Sequence, residues 1–301
     1  MTKMTLTQTR LSFCAVFGVA FAAFCAGSMA ANNTIIDVAP QAFASARHTA
    51  DDEAGQTRQH HLKRLTDRLT IEPAILDRNC KYESDIASAP PLNRVALTFD
   101  DGPTPGGTEH ILELLKKYNI PATFFMIGEK AKQYPELVAE VRAASHLVIA
   151  NHSWTHPNFH ELSPAAQADE VLRDDTLLGA AFEPKLFRYP FGNSTCETNQ
   201  LVRTHGYKIV GWHIDSCDWA FDKTGTVDSK EASSCGVALQ YQSDYVGHVV
   251  AAARARKGGI ILMHEIHRNT LNQLEAVIDR LLAAGFVFGT VTDADFQSSL
   301  R

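Results

Sequence analysis

The sequence has no basic excess. Lys and Arg number 28 against 34 Asp and Glu, for a formal charge of −6, and no long Lys/Arg run occurs. General nucleic-acid and anionic-membrane binders are thereby excluded, because they need positive charge to meet phosphate. Glycine and proline are sparse, at 18 and 12 of 301 residues, which excludes a low-complexity polymer. No repeat recurs at a fixed period, so solenoids and propellers are excluded. There is no CxxC pair, which removes the usual structural zinc and dithiol redox sites. A single apolar run approaches membrane-spanning length, from Leu11 to Gly27.

That run is informative. Lys3 and Arg10 precede it, no acidic residue occurs before Asp37, and Ser28-Met29-Ala30 places small residues before Ala31. Charge, apolar core and small-residue site in this order predict an export leader over residues 1–30, with a retained anchor as the alternative. Export to the periplasm or the medium follows, with no membrane contact beyond the leader. Cleavage leaves four cysteines, Cys80, Cys196, Cys217 and Cys235. An even count in an exported chain suggests two disulfides, and three pairings are possible. Cys217–Cys235 is favoured because it staples a polar loop, which leaves Cys80–Cys196. A zinc thiolate at Cys217 is the rival reading.

Hydrophobic residues make up 45% of the chain, enough for a full core. Residues 31–90 are polar and mixed, with one helical stretch from Gln59 to Leu69, and form an N-terminal extension. From residue 91 to 301 the pattern alternates. Apolar runs predict strands at 94–99, 122–127, 147–150, 185–189, 207–213, 259–263 and 286–291. Amphipathic helices lie between them, with apolar faces at Ile111/Leu114/Leu115, Leu137/Val138/Val141 and Leu274/Val277/Ile278/Leu281. Strands alternating with helices predict a parallel α/β architecture, either a barrel or an open doubly wound sheet.

Polar residues gather where the strands end. The first strand runs into Asp100-Asp101-Gly102-Pro103, the third into Asn151-His152-Ser153-Trp154-Thr155-His156, and the fourth into Arg188-Tyr189-Pro190-Phe191-Gly192. The segment Asp215-Ser216-Cys217-Asp218-Trp219 follows, and the strand from Gly259 ends in His264. In a parallel barrel these ends share one rim, where active sites are built. His152 and His156 are four apart, which on a helical turn puts both rings on one face, as metal ligation requires. Two histidines and one carboxylate leave a position open for water, the pattern of a catalytic metal. Adjacent Asp100 and Asp101 cannot both face a barrel interior as ordinary strand residues, so a turn after Phe99 is expected. One carboxylate would then ligate and the other act as a base. Asp218 would hold the His264 ring and raise its pKa, which suits a general acid. His267 has no further support as a site residue.

Together, the five segments resemble the polysaccharide deacetylases of the NodB-homology group, carbohydrate esterase family 4, over about residues 93–292. The resemblance implies a distorted (β/α)7 barrel of parallel strands behind the short N-terminal extension. It implies removal of N-acetyl groups from N-acetylglucosamine-containing glycans such as peptidoglycan or chitin-type polymers. Asp100 matches the family's base, and Asp101, His152 and His156 match its metal ligands. The metal is usually Zn2+, with Co2+ or another divalent transition metal as alternatives. Arg188 matches the residue that orients the base, and Phe191 N–H an oxyanion donor. Asp218 matches the carboxylate that tunes the acid His264, and Trp219 and Leu262 the acetyl-pocket walls. Phe191 stands where Tyr is commonest, and Ser145 and Ala150 where glycines are usual. An O-acetyl esterase on xylan or a similar glycan uses the same machinery, and an inactive glycan-binding module is the reading from another class.

Overall fold

In the computed structural model, residues 47, 49–56, 58–59, 86, 88–178, 184–194, 196–222 and 224–301 are described. The leader, all but the first residue of the helix expected from Gln59 to Leu69, and Cys80 lie outside the described residues.

The first described element is helical, at residues 47, 49–56 and 58–59, and is labelled α1. The strands are β1 (Arg94–Gly102), β2 (Ala122–Met126), β3 (Leu147–Asn151), β4 (Leu186–Phe187), β5 (Lys208–Ile209), β6 (Ile214–Asp215), β7 (Gly259–His264) and β8 (Val287–Gly289). The helices between them are α2 (Gly107–Tyr118), α3 (Gly128–Gln133), α4 (Pro135–Ala143), α5 (Pro164–Leu178) and α6 (Cys196–Thr204). After β6 come α7 (Asp218–Phe221), α8 (Ser229–Cys235) and α9 (Tyr245–Arg256), and α10 (Arg268–Ala283) follows β7. The strand ladders are parallel, in the order β5-β4-β3-β2-β1-β7-β6, with β8 against the start of β1. The sheet curls into a distorted (β/α)7-type barrel, and no ladder joins β5 to β6 among the described residues.

Strand alternation divides the core. Val95, Leu97 and Phe99 of β1 and Ile261 and Met263 of β7 face the outer helices, meeting Leu115 of α2, Val141 of α4, Val249 of α9 and Ile278 of α10. Their neighbours Ala96, Phe125, Ala150, Ile260 and Leu262 fill the barrel interior with Trp212 and Phe296. The helix faces expected from spacing are the buried ones: Ile111, Leu114 and Leu115 in α2, Leu137, Val138 and Val141 in α4, and Leu274, Val277, Ile278 and Leu281 in α10.

One expected strand is two. The run 207–213 yields β5, which ends at Ile209, and the chain next joins the sheet as β6 at Ile214. The carbonyls in between are taken: Arg188 donates from Nε to Val210 O at 3.2 Å and from Nη2 to Gly211 O at 3.1 Å. Val210 also bridges antiparallel to Leu300. Apolar periodicity carries no trace of a guanidinium that competes for strand carbonyls.

Candidate metal centre and active site

Period-two alternation aims the site residues. On β1, Ala96, Thr98 and Asp100 share the interior face, and on β7 so do Ile260, Leu262 and His264. Asp101 would face outward by the same rule. Instead the β1–β2 register slips between Asp100 and Gly102, and Asp101 takes a left-handed φ of 72°. A β-bulge, rather than the expected turn, thus turns two adjacent carboxylates toward one site.

The histidine pair also differs from the helical expectation. Residues 152–156 form a loop in which Ser153 and His156 adopt left-handed φ of 71° and 59°. Side chains stabilise it: Asn151 Oδ1 accepts from Ser153 N–H at 2.8 Å, and Ser153 Oγ accepts from His156 N–H at 3.1 Å. Those local bonds replace helical ones. The rings still converge, with centroids 4.9 Å apart.

His152 Nδ1 is anchored on Arg188 O at 2.9 Å, leaving Nε2 to point inward. There it lies 3.5 Å from Asp101 Oδ1 and 3.6 Å from Asp100 Oδ2, while His156 Nε2 lies 3.1 Å from Asp101 Oδ1. Asp101, His152 and His156 offer three ligand atoms within 4.8 Å of one another. Both Asp101 oxygens are buried without a hydrogen-bond donor. Burial opposes the Asp101 charge, and the His156 and His152 imidazoles lie directly against it. Burial pushes His156 down to about 3, so its ring is neutral at physiological pH. A buried carboxylate without donors is costly, and facing a neutral imidazole it fits a divalent cation. The donor set therefore matches a metal with open positions.

Beside the triad, Arg188 is 1% exposed and holds Asp100. Its Nη1 donates to Asp100 Oδ1 at 2.7 Å and to Thr98 Oγ1 at 2.8 Å, and its guanidinium stacks 4.1 Å over the Phe125 ring. Asp100 Oδ1 is thus fixed, and Oδ2 faces His152. Phe191 sits in a single 3-10 turn, Pro190–Gly192, at φ 57°, with its ring 4.6 Å from that of His156.

Across the rim, His264 Nδ1 lies 2.8 Å from Asp218 Oδ1, and its backbone N–H donates to Asp218 Oδ2 at 2.7 Å. Asp218 is fully buried at the start of α7 and also accepts from Thr270 Oγ1 at 2.6 Å and Trp219 N–H at 2.9 Å. Burial lowers the His264 pKa, but the Asp218 carboxylate outweighs it and raises it far above the ordinary histidine range. Cys217, which precedes α7, is disulfide-bonded to Cys235 at the end of α8. Cys196 is also disulfide-bonded.

Trp219 and Leu262 are buried in separate clusters, Trp219 on the helix side and Leu262 in the barrel interior. Neither lines the cleft that Asp101 and His156 line. Sequence reading missed three neighbours. Thr98 and Thr270 hold the two dyads, and Thr98 stands in the Asp-Asp segment itself, which was the available signal. His267, which had no supporting motif, is fully buried with its ring 5.2 Å from His264 and its Nδ1 3.4 Å from Asp222 Oδ2.

The sequence profile described as "Polysaccharide deacetylase" matches residues 87–210. A peptidoglycan-N-acetylglucosamine deacetylase of Bacillus cereus is 35% identical over 217 residues, covering 69% of this chain and 71% of that protein. A protein of the same description from Listeria monocytogenes is 29% identical over 211 residues, which is 69% of this chain but 40% of the longer relative. Among solved structures, a family 4 carbohydrate esterase from Streptomyces lividans in complex with acetate has a TM-score of 0.54 and 30% identity, covering 69% of this chain and 96% of that one.

Proposed function

Because the chain belongs to the polysaccharide deacetylase family, we propose that it hydrolyses the N-acetyl groups of an N-acetylglucosamine-containing glycan, releasing acetate and leaving a free amine. The observation that carries this is the Asp101 carboxylate, buried without a donor against two histidine nitrogens, next to an Arg188-held Asp100. The B. cereus and L. monocytogenes relatives are described by that activity on peptidoglycan, which supports an exported enzyme acting on wall glycan. The proposed layout is a leader at 1–30, an extension at 31–90 and a catalytic domain from 91 to 301.

Asp101, His152 and His156 would hold zinc, or another divalent transition metal; bound there, it supplies a Lewis acid that polarises the acetyl carbonyl and acidifies a water. Asp100 takes the proton of the attacking water, with Arg188 fixing the carboxylate so that its free oxygen faces the reaction. The Phe191 N–H donates to the oxyanion that develops on the acetyl carbonyl oxygen. His264, held protonated by Asp218, gives its proton to the departing nitrogen.

Acetate release tests it. Purified, zinc-loaded protein is incubated with chitin oligomers, peptidoglycan and acetylated xylan, with and without chelator. Chelator-sensitive release from an N-acetylated glycan is expected, and release from xylan alone moves the assignment to an O-acetyl esterase. Asp100→Asn is expected to lose about 10²–10⁴-fold in rate, the worth of a positioned base, while still binding metal. Wild-type turnover in that variant removes Asp100 from the role.

A further inference from the structure

The cleft that reaches the candidate metal ligands is not built by the barrel alone. Its volume is about 310 Å³, and Glu53 and Gln56 of α1 line it together with Asp101, His156, Phe191 and Lys130. The helix lies outside residues 87–210, the stretch that the family profile matches.

Contacts along one face seat α1 on the rim. Ala50 and Ala54 bury themselves against Ile266, just beyond β7. Arg47 Nη2 donates to Ile266 O at 2.9 Å, and Arg268 Nε donates to Asp51 at 3.0 Å. Arg58 Nη1 donates to Ala220 O, next to Trp219, at 2.5 Å, and its Nη2 pairs with Glu231. Positions 47, 51, 54 and 58 recur at helical spacing, so this face is committed to the barrel. Glu53 and Gln56, three apart, look along another face into the cleft. Lys130 links the two walls: its Nζ pairs with Glu53 and donates to Asp101 O at 2.8 Å.

The lining suits an uncharged sugar. Gln56, Gln133 and Thr155 offer amide and hydroxyl groups, while Phe191 and Ile266 offer apolar surface. Lys130 is the one Lys or Arg in that lining among the described residues, and it is already engaged. Away from the candidate metal ligands, an anionic ligand would meet Glu129 with no free Lys or Arg in the lining. The volume stands at the low end for small-ligand sites, roughly 300 Å³ and upward, which is room for about one sugar unit.

We propose that α1 is a wall of the substrate cleft and that Gln56 hydrogen-bonds the hydroxyl or acetamido groups of an uncharged N-acetylated glycan segment at the scissile unit. This rests on the deacetylase reading for its substrate, but its test does not need turnover. The first measurement is calorimetric binding of the N-acetylglucosamine tetramer to metal-loaded Asp100→Asn protein, with and without Gln56→Ala, and with thermal melts to check folding. Gln56→Ala is expected to weaken binding about five-fold, the worth of one net hydrogen bond. Breaking the clasp with Arg58→Ala and Arg268→Ala together is expected to weaken it as well.

In the active protein the Gln56→Ala loss should fall on KM, whereas a loss confined to kcat overturns the proposal. So does unchanged affinity in Gln56→Ala, or no tetramer binding at all. Tighter binding after the clasp is broken also overturns it, because α1 would then be an obstruction rather than a wall. If the wild type releases no acetate yet Gln56→Ala weakens the tetramer, the wall stands and the deacetylase reading falls.

Discussion

At the scale of single residues, the proposed reaction draws its pH dependence from the Asp218–His264 pair. The raised His264 pKa has a clear origin in the carboxylate 2.8 Å from Nδ1, which accepts two further hydrogen bonds on its other oxygen. In the proposed role of general acid His264 must be protonated, so activity is expected to fall as pH rises through its folded pKa, above the ordinary value near 6.5. Asp218→Asn removes the charge but keeps the shape. The alkaline limb of kcat/KM is then expected to move down by about one unit or more, as read from a pH–rate profile on an oligosaccharide. An unmoved limb would assign that limb to another group. Stability follows the same sign. A folded pKa raised above the unfolded one gives stability that is fully present below about 6.5 and is lost as pH rises through the folded value. Asp218→Asn should flatten that alkaline loss in thermal melts. The pairing of His264 with Asp218 was legible in the sequence because a lone histidine at a strand end had an acidic partner at another. His267 and Thr270 were not, since their parts depend on ring packing and on a helix start that no local pattern announces.

At the scale of elements, the bulge in β1 is the device on which the site depends. It requires Gly102, because a Cβ there would collide with the carboxylate of Glu265. Glu265 is itself locked. It is fully buried, burial raises its pKa to about 8, and Thr108 Oγ1 donates to its Oε2. Gly102→Ala should therefore destabilise by about 1–3 kcal/mol, as overpacking of a dense site does. It should also weaken metal binding by displacing Asp101. Urea unfolding and a metal titration read the two effects, and wild-type values in both would mean that Glu265 yields freely. The sequence made clear that Asp100 and Asp101 needed a special backbone, and Gly102 marked where. It did not distinguish a turn from a bulge, because both use glycine and differ only in whether strand pairing resumes afterwards. The His152–His156 loop teaches the same point. Spacing of four read as a helix, but Asn151 and Ser153 compete for the backbone N–H groups, and two left-handed residues bring the rings together instead.

At the scale of the whole molecule, five chain segments far apart in sequence are held at one rim by a barrel whose interior is packed with Phe125, Trp212, Leu262 and Phe296. A sheet of this kind positions its strand ends rigidly, so the candidate metal ligands are preorganised before any metal arrives. The cost is a buried Asp101 carboxylate that no protein donor satisfies. A cation that binds the native state and not the unfolded chain removes that cost and stabilises the fold by mass action. With free zinc at about 100 times its dissociation constant the gain should be about 2.7 kcal/mol. For a domain of this size that corresponds to a rise of roughly 5–10 °C in the melting temperature. Asp101→Asn should abolish most of the rise, and the metal-free melting temperatures of the two proteins read what the carboxylate itself contributes. Thermal melts of both proteins, with zinc and with chelator, read this directly. A metal-free variant much less stable than the wild type would mean that Asp101 is satisfied within the protein itself, and the donorless carboxylate would no longer argue for a cation.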